Sequence, residues 1–130
     1  MIVGFANGCF DLLHEGHLHL LREARKQCDK LIIGLNSDVS VRRLKGPGRP
    51  VQNVRARTLA LMDSGLISSV RIFNSEADLN SLINTLRPDI IFKGADYLGR
   101  MVAGMTDAKV VFVPFLEGYS TTSAIERSHA

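Results

Sequence analysis

Apolar positions along the chain gather into five short runs separated by stretches of helical period. Residues 2–6, 31–35, 70–73, 90–92 and 110–113 are apolar at nearly every position. Unbroken runs of this kind, without apolar–polar alternation, mark strands covered on both faces. Between them, residues 16–27, 54–64 and 76–86 carry helical patterning. In the last of these, Leu79, Leu82, Ile83 and Leu86 fall on one face, and Pro88 marks the stop. A final short helix is expected after Ser120 to Ser123. The order β-α-β-α-β-α-β-β-α predicts the α/β class, a doubly wound five-stranded parallel sheet with helices on both faces. No repeat, low-complexity tract or linker interrupts it, so residues 1–130 are expected to form a single domain. The first strand begins almost at Met1, and the expectation is that nothing precedes the domain. Such sheets bind ligands beyond the carboxyl ends of their strands, near a switch in strand order. The places to look are therefore just after Ala6, Leu35, Lys93 and Pro114.

Composition narrows the partners. The 130 residues are 45% hydrophobic and 22% charged, with a formal charge of +3 and a pI near 9.1. A mild positive charge suits a small anionic substrate such as a phosphate. It forms no clustered basic stripe, so nucleic acid is not the expected partner. Cys9 and Cys28 are too few for a disulfide framework, and no C-x-x-C suggests zinc or a redox pair. No signal peptide or bilayer-length apolar run is present, so the chain is expected to be cytoplasmic, without a membrane partner.

The segment after the first strand holds the most chemistry. It reads Asn7-Gly8-Cys9-Phe10-Asp11-Leu12-Leu13-His14-Glu15-Gly16-His17 and leads into the first helix. Gly8 permits close approach of backbone to a ligand, and a helix start offers free N–H groups and a positive dipole end. His14 and His17 converge on that same end. Two imidazoles there suit an anion that gains charge during reaction, such as a phosphate in a pentacoordinate transition state. The plain alternative is that His14 caps a turn and His17 packs at the helix start. Zinc proteases of the H-E-x-x-H type need histidines four apart, whereas these are three apart with no third ligand in view, so no protein-held metal is expected. The dinucleotide fingerprint G-x-G-x-x-G and the Walker sequence are both absent.

Gly8-Cys9-Phe10-Asp11 followed by His14-x-Gly16-His17 resembles the nucleotidyltransferase superfamily with the H-x-G-H signature, the cytidylyltransferase-like group. Within it, the chain is most similar to the adenylyltransferase domains that make ADP-heptose from heptose 1-phosphate. Four further blocks extend the likeness over nearly the whole chain. Asn36-Ser37-Asp38 stands at the second strand end, where acceptor-binding groups are expected, although a simple N-cap from Val39 onward is equally compatible. Arg42-Arg43-Leu44-Lys45-Gly46-Pro47-Gly48-Arg49-Pro50 reads either as a basic loop closing over phosphates or as a solvated one. The resemblance places a phosphate-contacting lysine at Lys45, and the helix that follows supplies Arg57. The family's acidic residue two positions before that arginine is Arg55 here. Phe92-Lys93-Gly94-Ala95-Asp96-Tyr97 resembles K-G-G-D-Y, with Ala95 in place of the second glycine. Glu117-Gly118-Tyr119-Ser120-Thr121-Thr122 resembles G-x-S-T-T before a last helix, where hydroxyls and N–H groups would hold a phosphate. Ala6 stands where the family usually has Thr.

The resemblance implies transfer of a nucleoside monophosphate from ATP or CTP to a phosphorylated small molecule, with Mg²⁺ as cofactor and release of pyrophosphate. His14, His17 and Lys45 would be catalytic. Asn7, Gly8, Cys9, Phe10, Lys93, Gly94, Asp96, Tyr97, Ser120, Thr121 and Thr122 would bind the triphosphate nucleotide. Asp11, Asn36, Asp38 and Arg57 would bind the acceptor. Cys9 is read as packing rather than as a nucleophile. A homodimer is the family expectation. AMP transfer to a heptose-type acceptor is favoured because Leu116-Glu117 stands where glycerol 3-phosphate cytidylyltransferases carry an arginine. The alternatives are a cytidylyltransferase acting on glycerol 3-phosphate or another small acceptor, and a non-catalytic nucleotide-binding module.

Overall fold

The structure, a computed structural model, describes residues 1–94 and 108–114. Five strands and four helices follow one another as β1 (Val3–Gly8), α1 (Glu15–Arg25), β2 (Lys30–Asn36), α2 (Asp38–Lys45), α3 (Val54–Asp63), β3 (Ser69–Phe73), α4 (Glu76–Leu86), β4 (Ile90–Gly94) and β5 (Lys109–Val113). The sheet has the order β3-β2-β1-β4-β5, and every pairing is parallel. The five strands expected from the apolar runs are all present. The helix expected after Ser120 lies outside the described residues.

The covering of both sheet faces follows from strand pleating, which sends successive side chains to opposite sides. Leu31, Ile33 and Leu35 of β2, with Ala6, Ile90 and Phe92, meet Leu21 and Ala24 of α1 and Leu61 of α3. The intervening Phe5, Ile32 and Ile91 meet Leu79 and Ile83 of α4 on the other face. A sheet so sandwiched needs apolar residues at every position, which is why its strands read as runs.

One element departs from expectation. Residues 38–45 form α2, capped by Ser37 whose hydroxyl accepts from Ser40 N at 3.2 Å; the capped helix allowed from Val39 is present, and residues 42–45, read as part of a basic loop, belong to it. The helix is short and mostly exposed, with only Ser40 and Val41 buried, so no apolar stripe announced it. The glycine-rich turn begins after it, at Gly46 (φ 95°) and Gly48 (φ 84°), in a backbone region that L side chains rarely adopt.

Sheet order also fixes where the crevice lies. From β1 the chain goes outward through β2 to β3 on one side, then crosses to β4 and β5 on the other. The switch point is thus between β1 and β4, where ligands of doubly wound sheets sit. Asn7 and Gly8 end one of these strands, and Lys93 and Gly94 end the other.

Candidate active site

Helix α1 begins with a capping box built from two imidazoles. His14 is the N-cap in extended conformation (φ −131°, ψ 179°), and its Nδ1 accepts from Gly16 N at 3.0 Å. The backbone N–H of His14 in turn donates to Nδ1 of His17 at 3.3 Å. The rings stack with centroids 3.8 Å apart and planes inclined by 19°. A neutral imidazole carries one donor and one acceptor nitrogen, so an accepting Nδ1 assigns the proton to Nε2 in both residues. The box therefore presents two Nε2–H donors at the positive end of a helix. Capping and catalysis are not rivals here, because the cap sets the tautomer.

His17 is held neutral. Burial, the neighbouring His14 and the Lys45 charge lower its pKa from 6.5 to about 3. The unfolded chain takes up this proton near 6.5 while the folded one resists it, so it binds more protons in the interval. The stabilisation from a neutral His17 is complete above pH 6.5 and is lost as pH falls toward 3. Protonation would also remove the Nδ1 acceptor from the capping box. Urea midpoints measured between pH 7 and pH 4.5 should fall further for the wild type than for His17→Gln, by about 1–2 kcal/mol of stability. Parallel curves would contradict the assignment.

Lys45 ends α2 and is exposed, rather than lying within a loop as expected. Its charge nonetheless acts on both His17 and the Cys9 thiol. Cys9 has its pKa raised by burial, against the opposing pull of Lys45, Arg57 and Arg49. A thiol held protonated is no activated nucleophile, in keeping with its reading as packing.

Across the β1–β4 crevice, the buried Lys93 donates from Nζ to Asn7 Oδ1, tying the two strand ends together. Phe10 is buried behind the histidines, its ring centroid 5.3 Å from that of His17. Gly8 is constrained by this ring, since a Cβ there would stand 3.1 Å from it. Phe10 and Leu12 both adopt left-handed backbone (φ 46° and 55°), a conformation costly for side-chain-bearing residues and typical of functional loops.

The residue between them holds the loop in place. Asp11 is fully buried, and its carboxylate accepts from Val51 N at 2.7 Å and Gln52 N at 2.9 Å. Arg57, also fully buried, donates to the carbonyls of Gln52 (2.9 Å), Cys9 (2.8 Å) and Asn36 (2.8 Å) and to Asp38 Oδ1 (2.6 Å). Asn36 gives its amide to Ser40 Oγ at 2.8 Å. All four residues expected at the acceptor site are thus brought together, but within a bracket of internal bonds that joins the β1–α1 loop, the end of β2 and residues 49–53. Arg55 is not needed to orient Arg57, because Asp38 does so.

Asp96, Tyr97, Ser120, Thr121 and Thr122 lie outside the described residues. Among the described residues no group of three potential metal ligands is clustered, and no helix is long and apolar enough to cross a membrane. Sequence reasoning passed over Arg49 and Gln52 as individual residues. Both enter the site from the loop that Asp11 anchors, and no local motif distinguishes them.

Comparison with known proteins agrees with this geometry. The cytidylyltransferase-like family model matches residues 5–127. The bifunctional protein HldE of Rhodospirillum rubrum is 48% identical over 132 residues, covering 98% of this chain and 26% of the relative. HldE of Mesorhizobium japonicum is 48% identical over 133 residues, covering 98% and 27%. The chain spans about a quarter of the length of these relatives. Among solved structures, the lipopolysaccharide core biosynthesis protein of Thermoplasma volcanium superposes with a TM-score of 0.70 at 25% identity, over 92% of this chain and 99% of that one. Pantothenate synthetase of Thermus thermophilus shares the fold, with a TM-score of 0.61 at 19% identity over 88% and 56%. With the family model matched from the first strand to beyond the last, and the histidine pair seated where the fold places its ligands, the chain belongs to the cytidylyltransferase-like family of nucleotidyltransferases.

Proposed function

We propose that this chain transfers AMP from ATP to a heptose-type sugar 1-phosphate and releases pyrophosphate. The observation that carries the reaction class is the imidazole capping box, which aims two Nε2–H donors from a helix start beside the β1–β4 crevice. The acceptor class is supported by the HldE likeness over 98% of the chain. It is supported too by the similarity to a lipopolysaccharide core biosynthesis protein, and by the heptose-type reading of residues 42–50 and 93–97.

A phosphate monoester is largely dianionic at neutral pH, its second pKa being about 6, so the acceptor needs no general base. An acceptor phosphate oxygen forms a bond to the α-phosphorus while the bond to the bridging oxygen of pyrophosphate breaks, and that oxygen leaves with the electron pair. Catalysis is then positioning and charge stabilisation. His14 and His17 donate to the phosphate oxygens as charge builds, and Lys45 neutralises it from the end of α2. Mg²⁺ would enter with the triphosphate, whose phosphate oxygens it suits.

Steady-state kcat/KM for ATP and CTP, each against heptose 1-phosphate and glycerol 3-phosphate, tests the assignment. ATP with heptose 1-phosphate should exceed every other pair by at least about tenfold, a discrimination of ~1.4 kcal/mol. CTP with a non-heptose acceptor winning by that margin would transfer the assignment to a cytidylyltransferase. No pyrophosphate from any pair would leave a binding module. Lys45→Ala should lower kcat by roughly 10²-fold, as loss of one charge-stabilising donor does. Its Tm should stay within about 2 °C, since exposed residues contribute little to stability. Unchanged turnover with a lowered Tm would make Lys45 structural.

A further inference from the structure

Two arginines serve the same corner of the molecule in opposite ways. Arg57 is saturated by three carbonyls and a carboxylate. The side chain of Arg49 is only 22% exposed, yet among the described residues its guanidinium makes no hydrogen bond. Among the described residues its ion-pair partner is Asp11, with Nε 3.6 Å from Oδ2, too long for a hydrogen bond. That carboxylate is already engaged by Val51 N and Gln52 N. Nε is enclosed without a partner, as is Oε1 of Gln52 three residues on. A guanidinium has five N–H groups in a fork matched to phosphate, and burying it unsatisfied is costly. Two unsatisfied polar groups on one short loop indicate a polar occupant on its inner face.

The topology says which occupant. Through Arg57, which bonds the carbonyls of Gln52 and Asn36, residues 49–53 are tied to the end of β2 on one side of β1, whereas the Asn7–Lys93 crevice is on the β4 side. The histidine pair follows β1, the strand between β2 and β4. In-line displacement at phosphorus requires attacking and leaving oxygens on opposite sides. With the nucleotide triphosphate in the β1–β4 crevice, the attacking phosphate must arrive from the opposite side. Arg49 lies against Asp11 of the β1–α1 loop, Nε 3.6 Å from Oδ2, which places it beside the segment that carries the histidines.

We infer that Arg49 is the acceptor-phosphate ligand of this site: its unspent guanidinium, parked loosely against Asp11, receives the phosphate monoester of the attacking substrate. The inference rests on the reading of the chain as a nucleotidyltransferase with a phosphorylated acceptor. It moves the acceptor contact from Asp11, Asn36, Asp38 and Arg57, whose side chains are engaged in internal bonds, to the loop they hold.

Calorimetric titration separates this role from the alternatives. Heptose 1-phosphate and ATP are titrated separately into the intact chain and into Arg49→Gln and Arg49→Lys. Arg49→Gln should weaken heptose 1-phosphate by roughly 30-fold, the scale of a lost charged hydrogen bond pair, with ATP affinity within about twofold. Arg49→Lys, which keeps the charge but not the fork, should fall between. Tm should not drop in either variant, since no protein hydrogen bond is lost. Unchanged heptose 1-phosphate affinity in Arg49→Gln, no binding by the wild type, or a loss confined to ATP would each overturn the inference. Arg49-dependent binding without pyrophosphate formation would remove the catalytic reading and leave the subsite standing.

Discussion

His14→Asn is expected to lower kcat by about 10²–10³-fold while the protein remains as stable as the wild type. Asparagine caps a helix as well as any residue, so Gly16 N keeps an acceptor and α1 keeps its start. What disappears is the Nε2–H that the cap geometry leaves as a donor. His17→Gln makes the complementary change, because glutamine fills the third position of a capping box and can accept from His14 N. It too should lose about 10²-fold or more in kcat. The two rings are stacked at 3.8 Å and act on the same phosphate, so the double variant should lose little beyond the worse single one. Pyrophosphate release at saturating substrates checks all three. Losses below about threefold in both single variants would reduce the histidines to their capping role.

Arg57→Met carries the largest expected effect on stability. The methionine fills similar space but leaves the carbonyls of Cys9, Asn36 and Gln52 without donors and Asp38 without its cation. Each buried group stranded in this way costs about 1–3 kcal/mol, with partial recovery by relaxation. A net loss of about 4 kcal/mol is expected, seen as a fall in Tm of roughly 10 °C or more. Arg57→Lys should recover little of it, since one ammonium on a flexible stem cannot span four acceptors in different directions. The same bracket supports the left-handed Phe10–Leu12 backbone, so turnover per folded molecule should fall as well. A Tm within about 2 °C of wild type would show that the bracket adds nothing to folding.

The division between what the residues announced and what they did not has a physical basis. The strands were legible because burial on both faces leaves a one-dimensional trace, an unbroken apolar run such as Leu31-Ile32-Ile33. Helix α2 left no such trace, being held by one cap and two buried side chains in a basic, glycine-flanked stretch. The histidine pair was legible because its relation is local, three positions apart at a strand-to-helix turn. The internal bonds of Asp11 and Arg57 were not legible. Their bonds reach backbone groups about 40 residues away in sequence, and backbone groups carry no residue code. For the same reason nothing local in the sequence tells the hydrogen-bonding state of Arg49 from that of Arg57. Only the folded chain shows that one is satisfied and the other is not.

The proposed chemistry turns on attack at the α-phosphorus of the triphosphate by the acceptor's own phosphate, with pyrophosphate leaving. Heptose 1-phosphate carrying 18O in its non-bridging phosphate oxygens, incubated with the protein, Mg²⁺ and unlabelled ATP, tests it most directly. Mass spectrometry should find all the label in the sugar nucleotide and none in pyrophosphate. Label in pyrophosphate, or free AMP in place of the sugar nucleotide, would contradict the account.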